Sequence, residues 1–200
     1  NEVWLATLNK RGVIPGYYLF VGIIQPRKNL DRLMLAHDLL PSDLRRERPL
    51  VVVGRAGWNC EETLHRLSGK IARGEALWFN DVHSQSELKH FYAGAGAFVL
   101  PSLYEGCGLP ILEAFAMGVP VVTSNATSLP EVSAGIGLEI DPLDIDQIAS
   151  AMKRVLNPAE RAMRIPAGRE RARALSWSRC AAETLQVYRR ALGGCSSRHG

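Results

Sequence analysis

Two glutamates flank a glycine-rich bend in the segment YEGCGLPILEA, residues 104–114. Glu105 lies in the bend, and Glu113 lies about one turn into a helix that Pro110 is expected to open. Helical side chains point back toward the start of their helix, so both carboxylates can reach one cleft. Carboxylates accept hydrogen bonds from paired sugar hydroxyls, whereas free N–H groups of a bend suit phosphate. The segment therefore predicts a site for a nucleotide-sugar.

Two adjacent cations, Arg27 and Lys28, form a second candidate group, within VGIIQPRKNL. They follow a buried apolar run, so we expect them at the same sheet edge as the glutamates. There they could neutralise a diphosphate, Arg27 through a forked contact and Lys28 as a point charge. Simpler interpretations stay open, since the cations and Glu105 could be solvated loop residues. Glu113 could have no role beyond a favourable interaction with the dipole at the N-terminus of its helix.

Apolar strands alternate with amphipathic helices along most of the chain. Strands are predicted at 17–24, 49–54, 76–82, 97–102, 120–124 and, more weakly, 137–142. Helices are predicted at 29–40, 59–73, 84–95 and 110–118, and then at 144–156, 159–175 and 176–192. Runs this apolar belong to a sheet that is covered on both faces. The alternation predicts an α/β fold, a doubly wound parallel sheet with extra C-terminal helices.

Glycines cluster where ligands bind in such a sheet, at the carboxyl ends of the strands. Gly22 and Gly54 end the first and second strands, and Gly106 and Gly108 follow the fourth. Glycine lets a ligand approach the backbone closely. The pattern GxGxxG of a dinucleotide site is absent after the first strand, so a dinucleotide-binding fold is disfavoured.

The composition indicates which classes of protein are compatible with this chain. The 200 residues are 46% hydrophobic and 22% charged, with a net charge of +4, which suits one globular domain. No core pattern begins before residue 17, so 1–16 are predicted to be a linker-like segment, 17–192 the domain, and 193–200 a disordered tail. The four cysteines form no CxxC pair, so we expect no metal site and a reducing cytoplasm. No aromatic residues interleave with the basic run 153–173, so no nucleic acid is expected, whereas a membrane surface could meet it.

Four motifs occur in order along residues 17–192. They are VGIIQPRKNL, VVVGRAG, ELKHFYAGAGAFVLPSLYEGCGLPILEAFAMGVPVVTSNATSLPEV and GLEIDP. This order resembles the C-terminal, donor-binding half of GT-B glycosyltransferases of family GT4, a Rossmann-like domain. It is similar to bacterial mannosyltransferases of polysaccharide assembly. The resemblance implies a retaining transfer of a hexose from a nucleoside-diphosphate sugar, with no metal and no other cofactor, and it favours GDP-mannose.

The resemblance also implies a role for individual residues. Glu105 matches the glutamate that contacts hydroxyls of the donor sugar, and Glu113 matches the one that holds the ribose. Lys28 matches the base that binds the diphosphate, and with Arg27 and Glu105 it forms the expected catalytic set. The other implied donor-binding positions are the strand-end glycines Gly22 and Gly54, the cradle Gly106, Cys107, Gly108 and Leu109, and Val82 and Leu88 beside the base.

Three positions depart from the family pattern. Ile23 stands where many relatives have an arginine, for which Arg27 could substitute. Asn80 or Asp81 replaces a glycine before the loop that contacts the base, and Cys107 stands where an aromatic residue is common. The N-terminal domain that binds the acceptor has no counterpart, so we expect a piece of a larger enzyme that does not transfer sugar alone. Its acceptor is expected to be a glycan or a lipid-linked molecule, at the inner membrane face.

Two other functions share this architecture. One is a stand-alone module that binds a nucleotide-sugar, and the other is a protein similar to nucleotide-sugar epimerases. The spacing of Glu105 and Glu113 argues against the epimerase. An in-frame upstream domain would favour the transferase over the module.

Overall fold

Six short apolar runs form one parallel sheet. The computed structural model describes residues 3–195 and the side chains of residues 3–192. The strands are β1 (Tyr18–Val21), β2 (Leu50–Val53), β3 (Ala76–Phe79), β4 (Ala97–Leu100), β5 (Val121–Ser124) and β6 (Leu138–Ile140). Their order is β3-β2-β1-β4-β5-β6, and every neighbouring pair is parallel. The predicted doubly wound α/β sheet is confirmed, including its weaker sixth strand.

The order of the strands reverses between β1 and β4. The chain builds outward from β1 through β2 to β3 and then returns to place β4 on the other side of β1, with Tyr18 opposite Ala97. The connections that leave β1 and β4 therefore run to opposite faces of the sheet. A crevice opens between them at the carboxyl edge, which is where ligands bind in sheets of this kind.

Helices cover both faces of the sheet. In chain order they are α1 (Val3–Lys10), α2 (Leu30–Asp38), α3 (Ser42–Glu47), α4 (Glu61–Ala72), α5 (Gln85–Gly94), α6 (Leu109–Ala116), α7 (Leu129–Ser133), α8 (Ile145–Arg154), α9 (Pro158–Ala174) and α10 (Trp177–Cys195). Successive strand residues point to opposite faces. Tyr18 and Phe20 accordingly pack with α2, α4 and α8, whereas Leu19 packs with α1, α5, α6 and α7.

The prediction that residues 1–16 form a linker is wrong for the part that the structure describes. Residues Val3–Lys10 form α1, which packs against α5. Leu8 is fully buried, and a side chain at Gly94 of α5 would come within 2.3 Å of its Cδ1 atom. The missing side chain at Gly94 lets the two helices approach closely. Two turns of helix are too short to show a helical period in the sequence.

The predicted disordered tail 193–200 begins within a helix, because α10 continues to Cys195. Residues 196–200 lie outside the described residues, so the rest of that prediction stays untested. Every described side chain of α10 is exposed.

Three arginines of α9 donate hydrogen bonds to backbone carbonyls and so do not form a free basic surface. Arg161 donates to the carbonyl of Gly96, just before β4, at 2.5 Å. Arg164 donates to the carbonyl of Gly137, just before β6, at 3.2 Å. Arg171 donates to two carbonyls of α7. These contacts fasten α9 across the edge of the sheet, so this part of the run 153–173 has a structural role.

A buried ionic network lies at the amino edge of the sheet, away from the crevice. Lys70 is fully buried, with its Nζ atom 2.7 Å from Asp38 Oδ1 and 3.7 Å from Glu75 Oε2. Glu75 also accepts hydrogen bonds from Arg45 and Arg73. Burial alone would raise the pKa of Glu75, but these two bonds and the charge of Lys70 lower it to about 2.

His37 of α2 is buried next to this network. Its Nε2 atom lies 3.2 Å from the carbonyl oxygen of Arg48, to which a neutral ring donates. Burial, reinforced by the charge of Lys70, lowers the pKa of His37 to about 4. An unfolded histidine titrates near pH 6.5. The unfolded chain therefore binds a proton more readily than the fold does between these two values, so folding stability falls as pH falls through that window.

We predict that His37→Gln removes this pH dependence while keeping an amide donor near the Arg48 carbonyl. The wild type should lose about 2 kcal/mol of unfolding free energy between pH 7.5 and pH 5 relative to the variant. Urea titration of both proteins at the two pH values measures the difference. The offset at pH 7.5 gives the cost of the substitution itself. Equal losses in both proteins would show that His37 is not the responsible group.

Candidate nucleotide-sugar site

Four side chains meet in the crevice between β1 and β4. Lys28 Nζ lies 2.5 Å from Glu105 Oε1, and Ser102 Oγ donates to the same oxygen at 2.8 Å. Arg27 Nη1 lies 3.0 Å from the other carboxylate oxygen, Oε2. We call these residues, Arg27, Lys28, Ser102 and Glu105, the Glu105 cluster. The structure therefore brings together the three residues of the predicted catalytic set and adds Ser102, which the sequence did not single out.

The loop after β1 has a backbone shape that presents Lys28 to this cluster. Pro26 opens a single 3₁₀ turn over Pro26–Lys28, and Asn29 ends it in the left-handed conformation, with φ 60°. Asparagine tolerates this conformation better than most residues. The Asn29 amide donates to the carbonyls of Pro101 at 2.9 Å and Pro142 at 2.7 Å. One buried side chain thus joins the loops that follow β1, β4 and β6.

Gly22 makes room for the lysine. Its φ of 152° disfavours any side chain, and a Cβ atom there would lie 3.4 Å from Lys28 Cε. The stem of Lys28 therefore passes directly over the end of β1. A Cβ atom at this glycine would be in ordinary contact with the lysine, so the cost of a substitution comes from the backbone conformation.

The Glu105 cluster carries a net positive charge. Burial acts to raise the pKa of Glu105, but hydrogen bonds from Lys28 and Ser102 outweigh it and hold the pKa below its usual value. Glu105 is therefore ionised at neutral pH, between two cations. Its Oε1 atom has two donors and its Oε2 atom has one, so Oε2 has room for another. The cluster can thus attract an anion and still accept a hydroxyl.

The bend that follows Glu105 is held by hydrogen bonds to the loop after β5. The N–H of Glu105 donates to Thr127 Oγ1 at 3.1 Å, and Ser128 Oγ donates to the carbonyl of Glu105 at 2.9 Å. Gly108 has φ 79° and stands at the N-terminus of α6. Within residues 3–195, the N–H groups of 106–108 have no backbone acceptor. Residues 106 and 107 are exposed, so their N–H groups are open to an anion.

Glu113 has a different partner from Glu105. Its Oε2 atom accepts a hydrogen bond from the hydroxyl of Tyr92 in α5 at 2.8 Å. Tyr92 is buried, and its ring packs against Phe98 with 5.6 Å between centroids. Its helical spacing predicts a core residue, and that prediction is confirmed. The orientation of Glu113 by its hydroxyl was not predicted, because only the fold brings α5 next to α6.

The predicted donor-binding residues divide between two cavities. Gly22, Gly54, Val82 and Leu88 line a cavity of about 210 Å³ at the ends of β1 and β2, which we call the small cavity. Cys107, Leu109 and Glu113 line a cavity of about 720 Å³ bounded by α6, α7, α9 and α10. The Glu105 cluster adjoins the small cavity, because Gly22 lines that cavity and touches Lys28.

Two further kinds of feature are absent from residues 3–195. No three side chains of His, Cys, Asp or Glu gather there as a group that could hold a metal ion. None of the helices has the length and apolar character needed to cross a membrane.

Comparison with known proteins points to one family. The family model described as "Glycosyl transferases group 1" matches residues 11–171. The O-antigen chain mannosyltransferase B of Escherichia coli is 39% identical over 175 residues, which cover 87% of this chain and 46% of that protein. The D-inositol 3-phosphate glycosyltransferase of Frankia alni is 37% identical over 183 residues, covering 87% of this chain and 45% of that protein.

A solved structure shares the architecture. The sucrose-phosphate synthase of Thermosynechococcus elongatus superposes with a TM-score of 0.78 at 26% identity, covering 95% of this chain and 49% of that one. The chain thus spans about half the length of each of these relatives.

We predict that Lys28 and Glu105 are strongly coupled in folding stability. Lys28→Met removes the ammonium and leaves the nearly buried carboxylate, so we expect a loss of about 3 kcal/mol. The double variant with Glu105→Gln should lose less than the sum of the single variants, by about 1–3 kcal/mol. Denaturant unfolding of the four proteins at pH 7 measures the coupling.

Arg27→Met is the matched control, because Arg27 binds the same carboxylate but its side chain is 40% exposed, against 10% for Lys28. A surface pair of this kind contributes under about 1 kcal/mol. Additive losses for Lys28 and Glu105 would contradict a buried ion pair.

Proposed function

Because the chain belongs to the group 1 glycosyl transferases, family GT4, and has the architecture of the C-terminal half of the GT-B fold, we propose that it binds the nucleoside-diphosphate sugar donor of a retaining hexosyl transfer. The observation that carries this proposal is the Glu105 cluster, which joins two cations, a carboxylate and a hydroxyl at the crevice. An anionic leaving group and the hydroxyls of a sugar both find partners in such a set.

The diphosphate lies, in this proposal, between the cluster and the bend. Lys28 and Arg27 supply positive charge, and the N–H groups of Gly106, Cys107 and Gly108 supply donors. Their fixed positions matter because charge grows on the diphosphate as it leaves. The bond from the anomeric carbon to the phosphate oxygen breaks, and its electron pair stays with the diphosphate. A bond from the acceptor oxygen to the same face of that carbon forms, and the departing phosphate takes up the acceptor proton.

The carboxylates hold hydroxyls on either side of the diphosphate. Glu113, oriented by Tyr92, accepts from the two hydroxyls of the ribose. Glu105 accepts from the transferred sugar through Oε2, its less occupied oxygen. Leu109 closes the cradle of the bend. Gly22, Gly54, Val82 and Leu88 border the base in the small cavity, and these residues support the assignment because they line one continuous surface.

The sugar is proposed from the relatives. Several are mannosyltransferases by name, including the O-antigen enzyme, so a mannosyl donor such as GDP-mannose is preferred. The acceptor, a glycan or a lipid-linked molecule at the inner face of the membrane, is proposed to bind mainly to a second domain beyond these 200 residues. In that case these residues alone bind the donor and transfer no sugar.

We predict that Glu113→Gln weakens binding of the preferred nucleoside diphosphate about tenfold or more. The substitution keeps the shape but removes the charged acceptor, and a hydrogen bond to a charged group contributes about 1.5–3 kcal/mol. Calorimetry with GDP, UDP and ADP, and with their sugars, measures the loss and identifies the base. Tyr92→Phe is the matched variant: it leaves the carboxylate but frees it to rotate, and should weaken binding by a smaller factor.

Retention of full affinity in both variants would exclude Glu113 from the ribose site. Absence of binding by the wild type at millimolar ligand would overturn the proposed donor site in this chain. The melting temperature of each variant controls for loss of fold.

We predict the opposite effect for Glu105→Gln on the free nucleoside diphosphate. The variant raises the net charge of the cluster by one and releases both cations for phosphate, so affinity should rise about three- to tenfold. Affinity for the nucleotide-sugar should rise less or fall, because its hydroxyl loses a charged acceptor. Calorimetry with the two ligands gives the ratio. A weaker nucleoside diphosphate complex would contradict the position of Glu105 between the cations.

A further inference from the structure

Arg11 joins three elements behind the small cavity. It follows α1, within the segment that the sequence predicted to be a linker. Its Nε and Nη2 atoms donate to Glu87 Oε1 at 3.0 and 2.6 Å, and its Nη1 atom donates to Asp81 Oδ2 at 2.6 Å. Its guanidinium also lies 5.9 Å from the centre of the Phe79 ring, at the end of β3. One side chain thus contacts the end of β3, the loop that follows it and the first turn of α5.

The same loop and helix form a wall of the small cavity. Asn80, Val82, His83 and Ser84 line the cavity from the loop, and Gln85 and Leu88 line it from α5. Asp81 and Glu87 alternate with these residues and are held by Arg11 instead. The arginine therefore grips the wall from the side away from the cavity.

Arg11 supplies a hydrogen-bonded tether for this loop, whose Val82 also packs against the core. Within residues 3–195, the bond from Arg11 to Asp81 is the one hydrogen bond that joins residues 80–83 to another part of the chain. The next tether is the side chain of Ser84, which caps α5 by accepting from the N–H of Glu87. The hydrogen bond from Arg11 also lowers the pKa of Asp81, so that carboxylate is ionised and paired at neutral pH.

Apolar contacts pack α1 against the far end of α5. Leu8 is buried between α1 and α5, and Trp4 and Leu8 both approach Gly94 at the far end of α5. The forked contact of Arg11 is at the other end of α5, where the loop ends. Two of its hydrogen bonds go to Glu87 of α5 and one goes to Asp81 of the loop, so Arg11 joins the loop to the start of that helix.

We propose that Arg11 is a positioning residue for the nucleoside: it sets the loop 80–84 and thereby the fit of the small cavity to the base. The inference rests on the proposed function, since it needs a nucleoside in that cavity. The segment before β1 then helps to select the nucleotide, because Arg11 belongs to it. Arg11 acts through Asp81 and Glu87 and touches no ligand itself.

Charge provides a second effect that an experiment must separate. Removing Arg11 would leave Asp81 and Glu87 as two unpaired carboxylates close to an anionic ligand, which would weaken every anion. Arg11→Lys keeps the positive charge but lacks the fork that reaches both carboxylates. Asp81→Asn weakens the hydrogen bond between Arg11 and the loop, leaves the bonds to Glu87 in place, and removes one negative charge near the ligand. Glu87→Gln lowers the charge equally but leaves the loop tether in place, so it is the matched control.

Calorimetry with GDP, UDP and ADP and with inorganic pyrophosphate tests the proposal on the wild type and these variants. We expect Arg11→Lys and Asp81→Asn to lower the affinity for the preferred nucleoside diphosphate about three- to tenfold. The ratio of this affinity to the affinities for the other two nucleotides should also fall. Pyrophosphate affinity should change less than twofold, because it reports only the phosphate site. Glu87→Gln should keep the preference among bases.

Hydrogen exchange gives a readout without ligand. Amides of residues 80–84 should exchange faster in Arg11→Lys and Asp81→Asn, whereas those of β1 and β4 should not change. Equal weakening of nucleotides and pyrophosphate, or unchanged discrimination among bases, would overturn the proposal for Arg11 alone. A wild type that binds pyrophosphate but no nucleotide would instead overturn the nucleoside site, and with it the proposed function.

Discussion

The pairing of β1 with β4 is the contact on which the candidate site depends. Lys28 and Glu105 are 77 positions apart, and each follows a strand that lies at the reversal of the sheet. Parallel pairing puts the carboxyl ends of both strands at one edge, and the connections then diverge to opposite faces. The loops that follow the two strands also contact each other directly, since the N–H of Leu103 donates to the carbonyl of Arg27 at 2.8 Å. Asn29 fixes this geometry by binding carbonyls of the loops after β4 and β6.

Charge balance in the crevice explains how two cations can stay partly buried in one place. Glu105 lies between Lys28 and Arg27, so each cation has a partner before any ligand arrives. A buried lysine without a counter-ion would favour its neutral form. In the proposed complex, a diphosphate would compete with this carboxylate for the cations, and the sugar hydroxyls would then donate hydrogen bonds to the carboxylate. Such an exchange would link recognition of the sugar to recognition of the phosphate.

Groups that line no cavity of the site still orient its side chains. Tyr92 belongs to the core by its ring and to the site by its hydroxyl, which holds Glu113. Arg11 donates to Asp81 in the loop after β3, and Ser102 donates to Glu105. Tyr92 and Arg11 come from elements that neighbour the loops of the candidate site only in the folded chain, whereas Ser102 precedes Glu105 in the same loop. The packing of α1 against α5 therefore places Arg11 and Tyr92 next to loops at the carboxyl edge of the sheet.

The sequence by itself determined the parallel sheet and the bend with two glutamates, because apolar runs, glycines and Pro110 act locally and leave a periodic pattern, whereas the order of the strands came from the structure. It also brought Arg27, Lys28 and Glu105 to one edge, since ends of parallel strands must meet. Only the tertiary structure decided that Glu105 lies between the cations, that Tyr92 orients Glu113, and that residues 3–10 form a helix. These contacts join residues far apart in the chain, so side-chain reach and helix packing decide them, and no local pattern encodes either.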